Sequence, residues 1–187
     1  MHTRHHWLLW PGLLAAGPLV IVLLYLVGAE HWRGEEKRIN EAFAVGILAL
    51  TVTLLVLRSA WQRSLLHLLL GGFAAAALLR EIHYDWTDRG VYVLLLLLIG
   101  LAWGWRERLA PAARSGSFLP WFKGALAAYL LSVLVSRRVF RDLLPNEPLM
   151  HVPIEEVMEN LAHSLLLVSA LVGSWHRQAG VTAPPLR

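Results

Sequence analysis

The chain has 187 residues, of which 57% are hydrophobic, and a mean hydropathy of +0.53; soluble domains carry about 45–50% apolar residues. It contains no cysteine, which excludes a disulfide framework, an Fe–S cluster and a cysteine zinc site. Its net charge of +4 comes from Lys and Arg residues set mostly at the ends of apolar runs, as membrane flanks are, and no nucleic-acid-binding motif accompanies them.

Six apolar runs, each near the ~20 residues of a bilayer span, predict an all-α fold: a polytopic membrane helix bundle of about six transmembrane helices, forming one integral membrane domain. Run one covers 8–28 and carries Pro18, which should kink it. "MHTRHH" followed by run one and "VGA" also reads as a cleavable signal peptide. However, an apolar stretch of about twenty residues exceeds the ~7–15 of such a core, which favours an uncleaved helix. Runs two and three cover approximately 42–58 and 64–83. Run four, 91–106, contains "VLLLLLIGLAWGW". Run five, 121–138, is the weakest, with Lys123 placed to snorkel from its end. Run six covers 154–175, and the Pro-containing tail 178–187 is expected to be disordered. Short connections such as "RSAWQR", "REIHYDWTDRG" and "RERLAPAARSGSF" hold the polar residues and are expected to be loops. The tryptophans fall near run ends, where an interfacial belt places them.

Alternating runs sort the charges. One side receives nine basic residues, Arg58, Arg63, Arg106, Arg108, Arg114 and Lys123 among them, but one acid, Glu107. The other side receives eight basic residues and the remaining twelve acids. Nine against eight favours cytoplasmic termini by a narrow margin, in the cell inner membrane of a bacterium. The segregation of the acids holds in either orientation.

Three polar clusters share the acidic side: Glu35, Glu36 and Glu41 before run two; Arg80, Glu81, His83 and Asp85 at the end of run three; and "HVPIEEVMENLAH" at 151–163. At about 100° per residue, Glu155, Glu159, His163 and Glu156 project near 0°, 40°, 80° and 100°, one arc of a helix. From Leu161 to Trp175 there are only 15 residues, roughly 22 Å at 1.5 Å each, short of a ~30 Å hydrocarbon core. The span therefore has to begin near Ile154, which draws Glu159 and His163 below the head groups and requires a partner for them. Glu155 and Glu156 have a plainer explanation. Pro153 suits a first helical turn, and acids in the next positions complement the helix dipole. Glu81 and Asp85 have one too, as a solvated helix end.

These clusters point to a metal-dependent hydrolase of a lipid or another interfacial substrate. His83, Glu159 and His163 are the candidate ligands of a divalent ion such as zinc, with Glu81, Asp85 or Glu156 as the general base. The alternative is a non-enzymatic subunit, sensor or transporter-like module, partnered by another membrane protein or a second copy, in which Arg80 and Glu159 form a structural ion pair. Small residues in "GGFAAAALL" and "GALAA" would let helices approach closely. A third reading pairs His83 with His163 and His67 with His176 around two haems. The spacings oppose it, since sixteen and thirteen residues turn the second histidine roughly 160° and 140° from the first.

"REIHYD" at 80–85 and "EEVME" at 155–159 match an R-E-x-x-x-D motif ending one helix and an E-E-x-x-E motif opening the last. In these the chain resembles uncharacterised bacterial multi-spanning membrane proteins. The resemblance covers runs two to six, implies a helical membrane fold and brings no activity with it. In style the chain is also similar to the alkaline ceramidase and progestin-receptor-like membrane hydrolases, which join His, Asp and Ser at one membrane face. None of the apolar runs contains that family's H-x-x-x-H element, and six runs is one short of its usual number, so no residue is carried over.

Overall fold

A computed structural model describes residues 35–82, 87–115, 117–144 and 146–172. Run one, His83, Asp85, His176 and the tail 178–187 lie outside the described residues. Within them every regular element is a helix: α1 (Glu35–Gln62), α2 (Leu65–Glu81), α3 (Thr87–Gly104), α4 (Arg106–Ser115), α5 (Leu119–Ser136) and α6 (Glu147–Leu171). Two stretches, Asn40–Gln62 and Leu119–Ser136, are long and apolar enough to cross a membrane. The pair Gly90–Gly104 and Arg106–Arg114, bent by 85°, is a third if it forms one span.

Local signals set the ends of these helices. Arg63, at a φ of 50°, turns the chain between α1 and α2, and Ser64 caps α2 by accepting from the His67 amide. Pro120 sits in the first turn of α5, where its missing N–H costs nothing. α6 begins seven residues earlier than run six, after Asn146 in the left-handed region with a φ of 51°. Asn tolerates that conformation better than most residues, and Pro148 follows in the first turn. Pro153 is thus inside α6 rather than at its start. The dipole explanation for Glu155 and Glu156 falls with it, because both lie beyond the first turn, where the dipole acts.

The second departure is α4. The stretch 106–115, expected to be a loop, is helical despite Pro111. Glu107 in its first turn and Arg114 in its last both complement the helix dipole.

In packing order the bundle reads α5, α6, α1, α2, α3, with α4 against α2 and α3. One core joins Leu48 and Leu55 of α1, Leu70 and Ala74 of α2, Ala125 of α5 and Leu166 and Ala170 of α6. A second lies between α5 and α6, around Ala128, Met150, Ile154, Met158 and Ala162. Alanines at full burial allow these helices to approach closely, the packing that holds helices together where lipid supplies no hydrophobic drive. A Cβ on Gly72 would lie 2.8 Å from Leu98 Cδ2, so α2 and α3 meet at that glycine. Outward, α3 exposes Tyr92, Leu96, Leu97 and Trp103, side chains suited to lipid.

Candidate functional site

The N-terminal end of α1, the C-terminal ends of α2 and α5 and the first half of α6 meet at one end of the bundle. An open pocket of about 220 Å³ lies there. α6 contributes Val152, Glu155, Glu156, Glu159, Asn160 and His163, a stripe at i, i+3, i+4, i+7, i+8 and i+11 that stays on one helical face. α2 contributes Arg80 and Glu81, and α1 contributes Asn40, Glu41 and Ala44.

Arg80 Nη2 donates to Glu159 Oε1 at 2.5 Å, and Ser132 Oγ donates to the same oxygen at 2.9 Å. This carboxylate therefore ties α2, α5 and α6 together. Charge-assisted bonds of this kind are the strong ones, and Glu159 is 14% exposed at its side chain against 43% for Arg80. The pair is half in water, so its net contribution lies between that of a surface pair and a buried one. Asn40 Nδ2 donates to Glu156 Oε2 at 3.2 Å, linking α1 to α6.

His163 is buried, 2% exposed at its side chain. Its Nε2 stands 3.9 Å from Glu81 Oε1. That is beyond hydrogen-bonding distance and within reach of one small adjustment or an electrostatic contact. Among the described residues its Nδ1 has no hydrogen-bond partner, and neither does the hydroxyl of Tyr129, whose ring lies 5.5 Å from the imidazole at a 60° tilt. Buried polar groups are ordinarily satisfied, and exceptions collect at functional positions.

Four of the residues singled out in the sequence, Glu81, Glu156, Glu159 and His163, line this pocket together, with Arg80 beside them. His83 and Asp85 lie outside the described residues. Among the described residues no three His, Cys, Asp or Glu side chains are grouped to hold a metal ion. Asn40, Ser132, Tyr129 and Asn160 were not singled out. Single polar residues inside apolar runs are too common to stand out, and Ser132 and Tyr129 are recognisable only by their spacing on α5, three apart and so on adjoining turns.

The opposite end is built differently. Arg58 of α1 is buried, and its Nη1 donates to the carbonyls of Ala170 at 2.9 Å and Val172 at 2.7 Å. A guanidinium thus closes the C-terminus of α6, where carbonyls lack helical partners and the dipole favours a cation. His67 lies at this end too, buried, its ring 6.1 Å from that of Phe118, with neither ring nitrogen hydrogen-bonded.

No protein-family model matches the chain, and none of the curated proteins or solved structures matches it either.

Proposed function

We propose that the chain is a six-span protein of the bacterial inner membrane, with both termini cytoplasmic. In this reading it binds the polar head of a lipid or another interfacial molecule in the acidic pocket and hydrolyses it. The observation that supports this is His163, an enclosed imidazole with a free Nδ1, set beside Glu81 on the wall of an open pocket. Ionisable groups at such depth are expensive to keep, and they mark functional sites by default. In the reaction, His163 takes a proton from a water as it attacks the substrate, Glu81 stabilises the resulting imidazolium, and His163 returns the proton to the leaving oxygen as its bond to the substrate breaks. Arg80 offers its remaining N–H donors to the oxyanion, since the guanidinium has five. In a metal-assisted form, His83, Glu159 and His163 would hold a divalent ion, which would supply a more acidic water, and Glu81 would take the proton in place of His163.

The test is hydrolysis of a lipid panel by the purified full-length protein, together with elemental analysis. H163N and E81Q should lower turnover, H163N by about 10²–10⁴-fold, the usual contribution of a general base. Wild-type protein that cleaves nothing, or H163N that cleaves as well as wild type, would overturn the reading. Stoichiometric metal that is lost in H163N would select the metal-assisted form.

A second reading draws on the Arg80–Glu159–Ser132 tie, which joins three helices. In it the polar end holds a non-enzymatic membrane subunit together. That reading requires hydrolysis to be absent and stability to depend on the tie.

A further inference from the structure

α4 departs from α3 at an angle of 85°. α3 is an 18-residue helix, about 27 Å long at 1.5 Å per residue. Its apolar part Gly90–Gly104 covers roughly 22 Å of a ~30 Å hydrocarbon core, the remainder being supplied by the polar first turn at one interface and the bend at the other. If α3 runs along the membrane normal, a helix at 85° to it runs in the membrane plane. The place where it does so is fixed by Trp103 and Trp105 at the bend, since tryptophan settles at the head-group level.

The faces of α4 fit that position. Leu109 packs with Trp105, Ala102 and Phe73 against the α2–α3 core. Arg106, Arg108 and Arg114 are exposed. The Arg106 guanidinium lies over the Trp103 ring, 5.4 Å from its centroid, and its Nη1 donates to the Trp103 carbonyl. That holds a cation beside an interfacial aromatic. Arg63 and Lys123 stand at the same end of the bundle, and Glu107 is the acid among them. A short amphipathic helix with a basic outer face, lying flat at head-group depth, is complementary to anionic lipid.

We propose that α4 is an in-plane helix whose arginines bind anionic phospholipid head groups, at the membrane face opposite the acidic pocket. This rests on α3 crossing the bilayer and not on the chemistry of the pocket.

The absence of cysteine makes the geometry directly measurable. In full-length protein reconstituted in nanodiscs, E107C and R114C, labelled one at a time, report depth by quenching with lipid-borne quenchers. The two positions share a face and are seven residues apart, roughly 10 Å along the axis. Equal depths are expected. Depths that differ by about that 10 Å would place α4 along the normal and overturn the proposal.

The ligand is tested with mixed phosphatidylglycerol and phosphatidylcholine, reading the lipid that co-purifies. Wild type should retain phosphatidylglycerol in preference, and R106Q/R108Q/R114Q should retain several-fold less. R137Q/R138Q/R141Q removes the same charge from the other end and should behave as wild type. Unchanged retention in the first variant, or equal loss in the second, would overturn the proposal. Wild type gives an independent reading, because retention through exposed arginines has to fall as salt rises. Salt-independent retention would count against it.

Discussion

The two ends of the bundle each hold an arginine, and they use it in opposite ways. Arg58 is 3% exposed, and its guanidinium donates to backbone carbonyls at the end of α6. Arg80 has a side chain 43% exposed, pairs with a carboxylate and stands on the wall of a pocket. The first cation satisfies a helix end beside the apolar core of Leu55, Leu70 and Leu166, with the buried His67 at the same end. The second keeps a partner and still faces open space. An arginine inside an apolar bundle is therefore not by itself a mark of chemistry. Buried polar atoms with no hydrogen-bond partner among the described residues occur at both ends, His67 near Arg58 and His163 and Tyr129 near Arg80. What marks the second end is that His163 lines an open pocket together with carboxylates.

That contrast breaks first at Arg58 if it is mistaken. R58A strips two charge-assisted bonds from buried carbonyls, at about 1.5–3 kcal/mol each, and should cost about 3 kcal/mol or more in a denaturation titration in detergent. R58K, which keeps the charge without the guanidinium fork, should cost less. Hydrolysis per folded molecule should be unchanged in R58K. A loss of turnover without loss of stability would erase the division between the ends.

A smaller effect is expected at Arg80 and Glu159. Water reaches the pair, so R80Q and E159Q should each destabilise by about 1–2 kcal/mol in the same titration. The double variant should cost less than the two singles added, with a coupling of about 1 kcal/mol. Strict additivity would show that the contact contributes nothing as a pair.

The smallest effect belongs to the histidines' structural share. His67 has two ring nitrogens with no partner among the described residues, so H67L removes polar atoms that make no hydrogen bond there and fills the site with a side chain of similar size. Its melting should stay within about 1 kcal/mol of wild type. H163L, by contrast, should abolish hydrolysis whatever it does to melting. If the two substitutions behave alike in both measurements, the imidazole at the pocket is packing material too.

The helices were legible where apolar runs were long. Runs two to six each find a helix, because a leucine-rich stretch flanked by charges has few other ways to satisfy its backbone. α4 was not legible. Its three arginines and Pro111 resemble a connection, and what makes it a helix is Leu109 reaching the α2–α3 core, a tertiary contact. The start of α6 was misplaced because two prolines suit a first turn, and Pro153 is nearer the apolar run than Pro148. The gathering of Glu81, Glu156, Glu159 and His163 follows from a 100° helical step and from charge segregation, both visible in the sequence. The cap by Arg58 was hidden for the opposite reason. It sits where flanking arginines sit, and only the end of α6, more than a hundred residues away, gives it a different role.

Pro153 lies just below the pocket residues of α6. A proline there offers no amide to the carbonyl four residues back, that of Leu149, and its ring crowds the same turn. The segment from Glu147 to Val152 is consequently joined to the remainder of α6 with one backbone bond fewer than an unbroken helix has, and Met150, 1% exposed, holds it in the same core as Ile154 and Met158. From Ile154 onward the helix is clamped by Met158, Ala162 and the cap at its far end. The acidic stripe therefore begins where the backbone ladder of α6 is interrupted. Val152 and Glu155, on either side of that interruption, both line the pocket, so a bend at Pro153 bears on its mouth and not on the placing of His163.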